Sequence, residues 1–220
     1  MSTLAVLPIK RLDAAKGRLD PAVSSRSRRD LAAAMAADVL DALGQVGGLA
    51  GVIAVTGDVE VARAAAAAGA ETVEDPRDAG QSAAAQMGIS RALDRGADHA
   101  LLVPGDCPIL DPAELEVLLA GMVAEPSVAV IPDRHGTGTN GLLLTPPEVI
   151  SPAFGPGSFA RHVEAARRSG ALVFVERLPS LALDVDTAGD LAALRRALAE
   201  LPAAAPRTRG VLPAVPAGGA

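Results

Sequence analysis

The sequence predicts a three-layer α/β/α sandwich with a mostly parallel central sheet, and two observations lead to that fold class. Short apolar runs recur along the chain, each too short for a helix and bounded by glycine, proline or charged residues. Segments with helical periodicity separate these runs. Strands that alternate with helices form parallel sheets with helices on both faces. Ligands of such sheets bind outside the carboxyl ends of the strands.

The elements follow in order along the chain. The predicted strands are short apolar segments at 3–9, 52–55, 71–73, 100–103, 128–131, 141–144 and 172–175. The predicted helices have amphipathic spacing or a terminal signal and lie at 25–46, 59–68, 80–95, from 112 onward, 158–169 and 188–201. Asp58, Asp111 and Thr187 have the residue type and position of N-caps. Leu181 and Leu183 indicate one more short strand before the last helix.

Length and composition set the organisation. With 220 residues, half of them hydrophobic, the chain is long enough for one substantial core, which we assign to residues 1–201 as a single domain. Residues 202–220 are rich in proline, alanine and glycine and form a predicted disordered tail. Only one cysteine, Cys107, is present, which favours a cytoplasmic location. No segment has the length of a signal peptide's apolar region or of a membrane span.

Charge is distributed unevenly. The net charge of −6 argues against a general nucleic-acid binder. The first 29 residues carry seven basic and two acidic side chains, a net of +5, which leaves −11 on the rest. A cationic segment on an acidic protein suits a compact anionic ligand, although an ordinary solvated loop has the same composition.

Carboxylates at two places are candidate metal ligands. Asp106 follows the predicted strand 100–103, and Gly105 before it lets the backbone approach a ligand. Asp184 and Asp186 are two residues apart, so in a strand their side chains point to the same face. Neighbouring carboxylates repel unless a cation lies between them, and Mg²⁺ prefers oxygen ligands. Each aspartate taken alone is also consistent with a turn or a helix cap.

The basic loop at 8–19 leaves the first strand at the same edge as Asp106. Lys10, Lys16 and Arg18 are placed to clamp a triphosphate. The loop is not a Walker A motif, because its glycine spacing differs and Gly-Lys-Ser/Thr is absent.

Two loops of small residues, 134–140 and 154–158, offer backbone N–H groups and hydroxyls. The second precedes a predicted helix that begins at Ser158, and helix N-termini bind phosphate. Ordinary turns have similar composition. The residues His135, His162 and Cys107 show no metal-ligand spacing. We interpret the two histidines as structural or surface residues and Cys107 as a small buried thiol.

In chain order, the motifs are P-I-K-R-L-x-x-A-K-x-R-L, a strand-end aspartate, P-D-R-H-G-T-G-T-N, F-G-P-x-S-x-x-R-H and L-D-V-D-T. Together they resemble the guanylyltransferases of deazaflavin coenzyme F-420 biosynthesis, which activate phosphoenolpyruvate or 2-phospho-L-lactate. The resemblance covers residues 3–200 approximately. It implies a nucleotidyltransferase fold related to the GT-A sugar-nucleotide enzymes, with GTP as co-substrate and Mg²⁺ as cofactor.

The resemblance also implies roles for individual residues. The metal ligands would be Asp106, Asp184 and Asp186. The acceptor-binding residues would be Thr139, Gly155 and Ser158. The residues facing the GTP phosphates would be Lys10, Lys16 and Arg18, and the catalytic set would be Asp106, Lys16 and Arg18. Further nucleotide contacts would come from Gly105 and from Gly80, Gln81 and Ser82, which replace the family's usual Gly-Leu-Asn.

The predicted reaction is in-line attack of an acceptor phosphate oxygen on the α-phosphorus of GTP, with pyrophosphate as the leaving group. Phosphoenolpyruvate is the preferred acceptor, and 2-phospho-L-lactate and 3-phosphoglycerate remain open. Enzymes for a sugar phosphate or molybdopterin should carry a Gly-rich loop after the first strand, where this chain has a Lys/Arg loop at 10–13. A non-enzymatic nucleotide-binding protein is a third alternative. The oligomeric state is open, and a homodimer is compatible with the sequence.

Overall fold

Seven strands form one sheet in the computed structural model of this chain, which describes residues 1–14, 19, 24–121 and 126–212. The strands are β1 (Thr3–Pro8), β2 (Leu49–Thr56), β3 (Glu71–Glu74), β4 (His99–Leu102), β5 (Ser127–Pro132), β6 (Thr139–Thr145) and β7 (Leu172–Val175). Their order is β3-β2-β1-β4-β6-β5-β7. Strand β6 is antiparallel to β4 and β5, whereas the other pairs are parallel. The mostly parallel sheet predicted from the sequence is therefore confirmed.

Helices connect the strands and cover both faces of the sheet. They are α1 (Ser25–Gln45), α2 (Val59–Ala67), α3 (Gln81–Asp94), α4 (Pro112–Gly121), α5 (Ser158–Arg168), α6 (Ala188–Glu200) and α7 (Pro206–Val211). The predicted N-caps form where the sequence placed them. The Asp58 carboxylate accepts the N–H groups of Glu60 and Val61, and Thr187 and Asp190 form a capping box at α6.

The three layers follow from the alternation of side chains along each buried strand. In β1, Ala5 and Leu7 pack with α1 and α4 on one face, whereas Leu4 and Val6 pack with α3 and α5 on the other. The contact between α3 and β1 is especially close. A Cβ atom on Gly88 would lie 2.2 Å from Val6 Cγ1, so only glycine permits it. This contact packs the middle of α3 tightly against β1.

The predicted strand around Leu181 and Leu183 is wrong. Pro179–Leu181 forms a 3-10 turn, and the chain then continues as a loop. The carbonyls that a strand would need are occupied by groups from the loop before β6 and from the start of β6. The Leu181 carbonyl accepts Asn140 Nδ2 at 2.8 Å, and the Ala182 carbonyl accepts Arg134 N–H at 2.7 Å. Asp184 and Asp186 therefore lie on a loop whose start is held by the hydrogen bonds from Asn140 and Arg134.

The predicted disordered tail is wrong over 202–212, because α7 packs against α1. Asp38, buried in α1, accepts the backbone N–H groups of Arg207 at 3.1 Å and Thr208 at 2.8 Å. A buried carboxylate thereby satisfies the free N–H groups at the start of α7. Residues 213–220 lie outside the described residues.

Across the described ranges, no helix combines the length and the apolar character needed to cross a membrane.

Candidate active site

A cleft of about 550 Å³ lies at the carboxyl ends of β1, β3 and β4. Lys10 borders it after β1, Asp75 after β3 and Asp106 after β4. The opposite wall comes from the loop before β6 and the loop before α5. The parallel strands bring these segments to one edge of the sheet, where α/β proteins bind ligands.

The three predicted metal-ligand aspartates all line this cleft. The backbone joins their loops, since Val185 N–H donates to the Asp106 carbonyl at 3.2 Å. Asp184 Oδ1 accepts a hydrogen bond from Asn140 Nδ2 at 3.1 Å. Burial raises the pKa of Asp184, the negative charge of Asp106 raises it further, and Asp186 adds to the effect. The structure thus concentrates negative charge at one place.

This carboxylate cluster suits a hard cation that brings its own ligands. Among the described residues, no group of three or more His, Cys, Asp or Glu side chains is arranged as a preformed metal centre. Mg²⁺ does not need such a cage, because it usually binds one or two carboxylates and keeps water and phosphate oxygens. A cation beside Asp184 would offset the repulsion that raises the pKa of its carboxyl group. The residues therefore fit a magnesium ion that binds with a phosphorylated ligand.

The predicted acceptor-binding residues converge on the wall opposite Lys10. Thr139 begins β6 and Ser158 begins α5, and both side chains are buried at the cleft. Phe159 N–H donates to the Thr137 carbonyl at 3.2 Å, which ties the two loops together. Gly155 has φ +106°, a left-handed conformation that favours glycine. Ser158 N–H also donates to a carbonyl within the loop, that of Gly155, at 3.0 Å. The start of α5 therefore offers the cleft the Ser158 hydroxyl and the positive end of the helix dipole, an arrangement that suits an anion.

The predicted nucleotide contacts divide into three groups. Those that line the cleft are Lys10, Gly80, Gln81 and Gly105. Ser82 does not line it, and its Oγ instead accepts Phe154 N–H at 2.8 Å, which joins α3 to the loop before α5. Lys16 and Arg18 lie outside the described residues.

Gly105 has a packing role that the sequence did not indicate. A Cβ atom there would lie 3.3 Å from Ile9 Cγ1 and 3.7 Å from the Ala36 side chain. A side chain at this position would therefore press against the end of β1 and against α1. Gly105 holds the Asp106 loop close to β1.

Sequence reasoning missed Asp75, which lies at the β3 end of the cleft. Its side chain is buried, and Oδ1 accepts the N–H groups of Arg77 at 3.2 Å and Asp78 at 3.0 Å. Its other carboxylate oxygen has no hydrogen-bond partner among the described residues. In the sequence, Asp75 before Pro76 has only the appearance of a turn residue. His162 was also missed, and its contacts are described below.

Comparison with known proteins agrees with this geometry. Residues 3–195 match the protein family described as guanylyl transferase CofC like. The chain belongs to this family. As a CofC-like protein it is a nucleotidyltransferase, and the family match spans every strand and all the cleft residues described above.

Individual relatives cover nearly the whole CofC-like chain. A phosphoenolpyruvate guanylyltransferase of Conexibacter woesei is 45% identical over 96% of each chain. Another from Sphaerobacter thermophilus is 41% identical over 87% of this chain and 91% of its own. Among solved structures, a candidate nucleotide-diphospho-sugar transferase of Desulfovibrio desulfuricans has a TM-score of 0.76 at 18% identity, covering 96% of this chain and 94% of its own. The predicted nucleotidyltransferase fold is confirmed.

Proposed function

We propose that this protein transfers GMP from GTP to phosphoenolpyruvate and releases pyrophosphate, as a magnesium-dependent step of coenzyme F-420 biosynthesis. The observation that carries the proposal is the convergence of Asp106, Asp184 and Asp186 opposite the anion-binding loops at Thr139 and Ser158. The names of the relatives support phosphoenolpyruvate as acceptor, and the family supports guanylyl transfer.

The order of the strands supports one direction for the proposed nucleotide. Strand β3 is three positions from β4 across β2 and β1, which places their ends about 14 Å apart at the usual strand spacing. A nucleotide with its α-phosphate near Asp106 therefore extends past Lys10 toward Asp75. The phosphates then meet the basic segment after β1, where Lys16 and Arg18 are proposed to assist Lys10.

Asp75 is proposed to select guanine. Guanine presents two neighbouring donors on one edge, the N1–H and the 2-amino group, whereas adenine has neither at these positions. A carboxylate oxygen without a protein partner accepts such donors. The turn that uses Asp75 Oδ1 leaves the other oxygen available, and the carboxylate is held rigidly because it is buried.

The proposed reaction needs alignment and charge neutralisation more than proton transfer. An oxygen of the acceptor phosphate attacks the α-phosphorus, a new P–O bond forms, and the bond to the β-phosphate oxygen breaks. The electron pair leaves with pyrophosphate. Because the attacking oxygen is already anionic near neutral pH, no general base is required. Lys10 would stabilise the charge of the leaving group.

The carboxylates have a separate task. Asp106, Asp184 and Asp186 would hold magnesium, which when bound neutralises charge on the reacting phosphates. Thr139, Gly155 and Ser158 would fix the acceptor phosphate at the start of α5, close to the carboxylates. This arrangement would hold the attacking phosphate oxygen and the α-phosphorus next to each other in one cleft.

A product assay tests the proposal. The protein is incubated with Mg²⁺, GTP or ATP, and phosphoenolpyruvate, 2-phospho-L-lactate, 3-phosphoglycerate or a sugar phosphate. Pyrophosphate is measured and the product is identified by mass. We expect a GMP adduct of phosphoenolpyruvate. Absence of pyrophosphate with every acid, or a product formed only with the sugar phosphate, would refute the proposal.

A further inference from the structure

His162 lies in α5 with its side chain fully buried, four residues after Ser158. Its ring makes three contacts. Nδ1 lies 2.9 Å from Thr139 Oγ1, Nε2 lies 2.8 Å from Ala153 N, and the ring edge meets Phe154 with centroids 5.2 Å apart. The ring therefore joins the loop before β6 to the loop before α5, the two segments that form the acceptor wall.

The Ala153 contact fixes the tautomer of the ring. A backbone N–H group can only donate, so Nε2 must be an acceptor and carry no proton. A neutral imidazole then carries its proton on Nδ1, and Nδ1–H donates to Thr139 Oγ1. Burial, assisted by the charge of Arg161, lowers the pKa of His162 to about 4, which keeps the ring neutral near pH 7.

The tautomer in turn determines what the Thr139 hydroxyl can do. Because Oγ1 accepts from His162, the hydroxyl proton is left to be donated elsewhere. Oγ1 makes no other hydrogen bond among the described residues, and Thr139 lines the cleft. The hydroxyl is thus preset as a donor, the role that recognition of an anionic oxygen requires.

We infer that His162 is a positioning residue for the acceptor: its Nδ1–H orients the Thr139 hydroxyl so that it donates to an anionic oxygen of the phosphorylated acid. This inference rests on the proposed function and adds a residue that touches neither substrate. It also explains why a histidine occupies a fully buried place beside an anion-binding loop.

Two substitutions separate the two hydrogen bonds of the ring. In His162→Asn, the side-chain NH₂ lies near the position of Nδ1, so the donor to Thr139 is kept and the acceptor for Ala153 is lost. In His162→Gln, the longer side chain reaches the position of Nε2, so the acceptor for Ala153 is kept and the donor to Thr139 is lost. A purely structural role predicts that both variants lose stability without separating the substrates.

The measurement is the KM for phosphoenolpyruvate and for GTP in each variant, with melting temperature as the folding control. We expect His162→Gln to raise the KM for the acceptor about tenfold or more, with the KM for GTP unchanged. His162→Asn should keep the acceptor KM within about twofold, a smaller change than loss of one hydrogen bond to a charged group. Equal effects on the acceptor KM in the two variants would overturn the inference.

A double-mutant cycle adds a second readout. In a Thr139→Val background, His162→Gln should change the acceptor KM no further, because the hydroxyl it orients is gone. Additive effects would contradict the inference. If His162→Gln does not fold, the variants Thr139→Ser and Thr139→Val provide the test. Thr139→Ser should retain the acceptor KM, and Thr139→Val should raise it. An unchanged acceptor KM in Thr139→Val would overturn the inference.

A matched control lies at the other end of β6, where His99 Nδ1 lies 2.7 Å from Thr145 Oγ1 in a buried pair. His99→Gln should lower the melting temperature and leave both KM values unchanged. A wild-type protein that releases no pyrophosphate with any acid would refute the proposed function. Normal wild-type turnover with unchanged KM values in the His162 and Thr139 variants would refute this inference alone.

Discussion

The two ends of β6 carry the same pair of side chains in different surroundings. At the cleft end, Thr139 pairs with His162, and at the opposite end Thr145 pairs with His99. At the far end the backbone groups beside His99 are paired: Asp98 accepts the backbone N–H of Ser2 at 2.7 Å, and the Ser2 carbonyl accepts the N–H groups of Asp98 and His99. The cleft end instead places carboxylates and the hydroxyl-bearing residues Thr139 and Ser158 around a cavity. The difference indicates that polar groups that face a cavity, rather than residue type, distinguish a ligand site from a structural contact.

The largest expected effect comes from a carboxylate at the cleft end. Asp106→Asn should lower pyrophosphate release by about 10²–10³-fold, because charge stabilisation at the reacting phosphates is weakened. Steady-state kinetics with GTP and phosphoenolpyruvate give the measurement, and the melting temperature reports folding. Asp98→Asn at the far end is the control and should retain turnover. Near-normal turnover in Asp106→Asn would remove Asp106 from the site.

The next largest effect is expected on recognition of the guanine base by Asp75. Asp75→Asn keeps Oδ1 for the turn but places an NH₂ group where the second oxygen was. We expect the KM for GTP to rise about 10–100-fold, the value of one hydrogen bond to a charged group. XTP should become a substrate, because xanthine has an acceptor at C2 that the new NH₂ group can bind. Asp78→Asn, which removes the same charge from the same loop, should keep the preference for GTP. Unchanged use of GTP in Asp75→Asn would contradict the assignment.

A third prediction concerns the pH dependence of stability that His162 confers at the cleft end of β6. The unfolded chain protonates a histidine near pH 6.5, whereas folded His162 does so near 4. The contribution of neutral His162 to the free energy of unfolding is therefore fully present above pH 6.5 and is lost as the pH falls toward 4. Between pH 7.5 and 5 this group should cost about 2 kcal/mol of unfolding free energy.

Urea unfolding at the two pH values measures that loss. The loss should be smaller by that amount in His162→Asn, which has no titrating group at this position. The same pH dependence in both proteins would show that His162 is not the group responsible.

A smaller effect is expected for one hydroxyl. Ser158→Ala should raise the KM for the acceptor about tenfold and that for GTP much less, because the hydroxyl faces the proposed acceptor phosphate. Ser127 is a matched control at the far end. Its Oγ is buried and has no hydrogen-bond partner among the described residues, so Ser127→Ala should leave both KM values and stability nearly unchanged. An acceptor KM that does not move in Ser158→Ala would argue against the phosphate role.

The smallest expected effect is a gain in stability. Asp184→Asn removes a partly buried charge repelled by Asp106 and Asp186 and keeps an oxygen for Asn140. With a metal chelator present, its melting temperature should exceed that of the wild type by about 2–4 °C, equivalent to roughly 1 kcal/mol. Addition of Mg²⁺ with GTP should stabilise the wild type more than the variant. A lower melting temperature for the variant in chelator would show that the carboxylate is not under repulsion.

Much of the fold could be predicted because its signals are local. Apolar runs and caps such as Asp58 and Thr187 depend on neighbours in sequence, and the structure places those elements within a few residues of the prediction. The place of Asp106 at the carboxyl edge was also predictable, because it follows a strand. Asp184 and Asp186 reach the same cleft from a loop, and only the motif resemblance implied their meeting with Asp106.

The errors have a physical cause in contacts between distant residues. Leu181 and Leu183 have strand-like spacing, but Asn140 and Arg134 take the carbonyls of that segment. Asp75 and His162 look ordinary in sequence, and the roles proposed for them rest on the atoms around them. The hydrogen bond that the Ser82 hydroxyl accepts from a loop 72 residues away gives no signal in the sequence either.

The contact between Asp38 and α7 has a consequence for how the protein is made. It joins residues 170 positions apart, and α7 packs over a cluster that includes Met35, a residue of the cleft wall. A chain emerging from the ribosome can fold its amino-terminal strands early, since domains fold as their residues become available. The support behind Met35 is therefore available only after α7 has been synthesised. A nascent chain completes its cleft after all seven strands of the sheet have emerged.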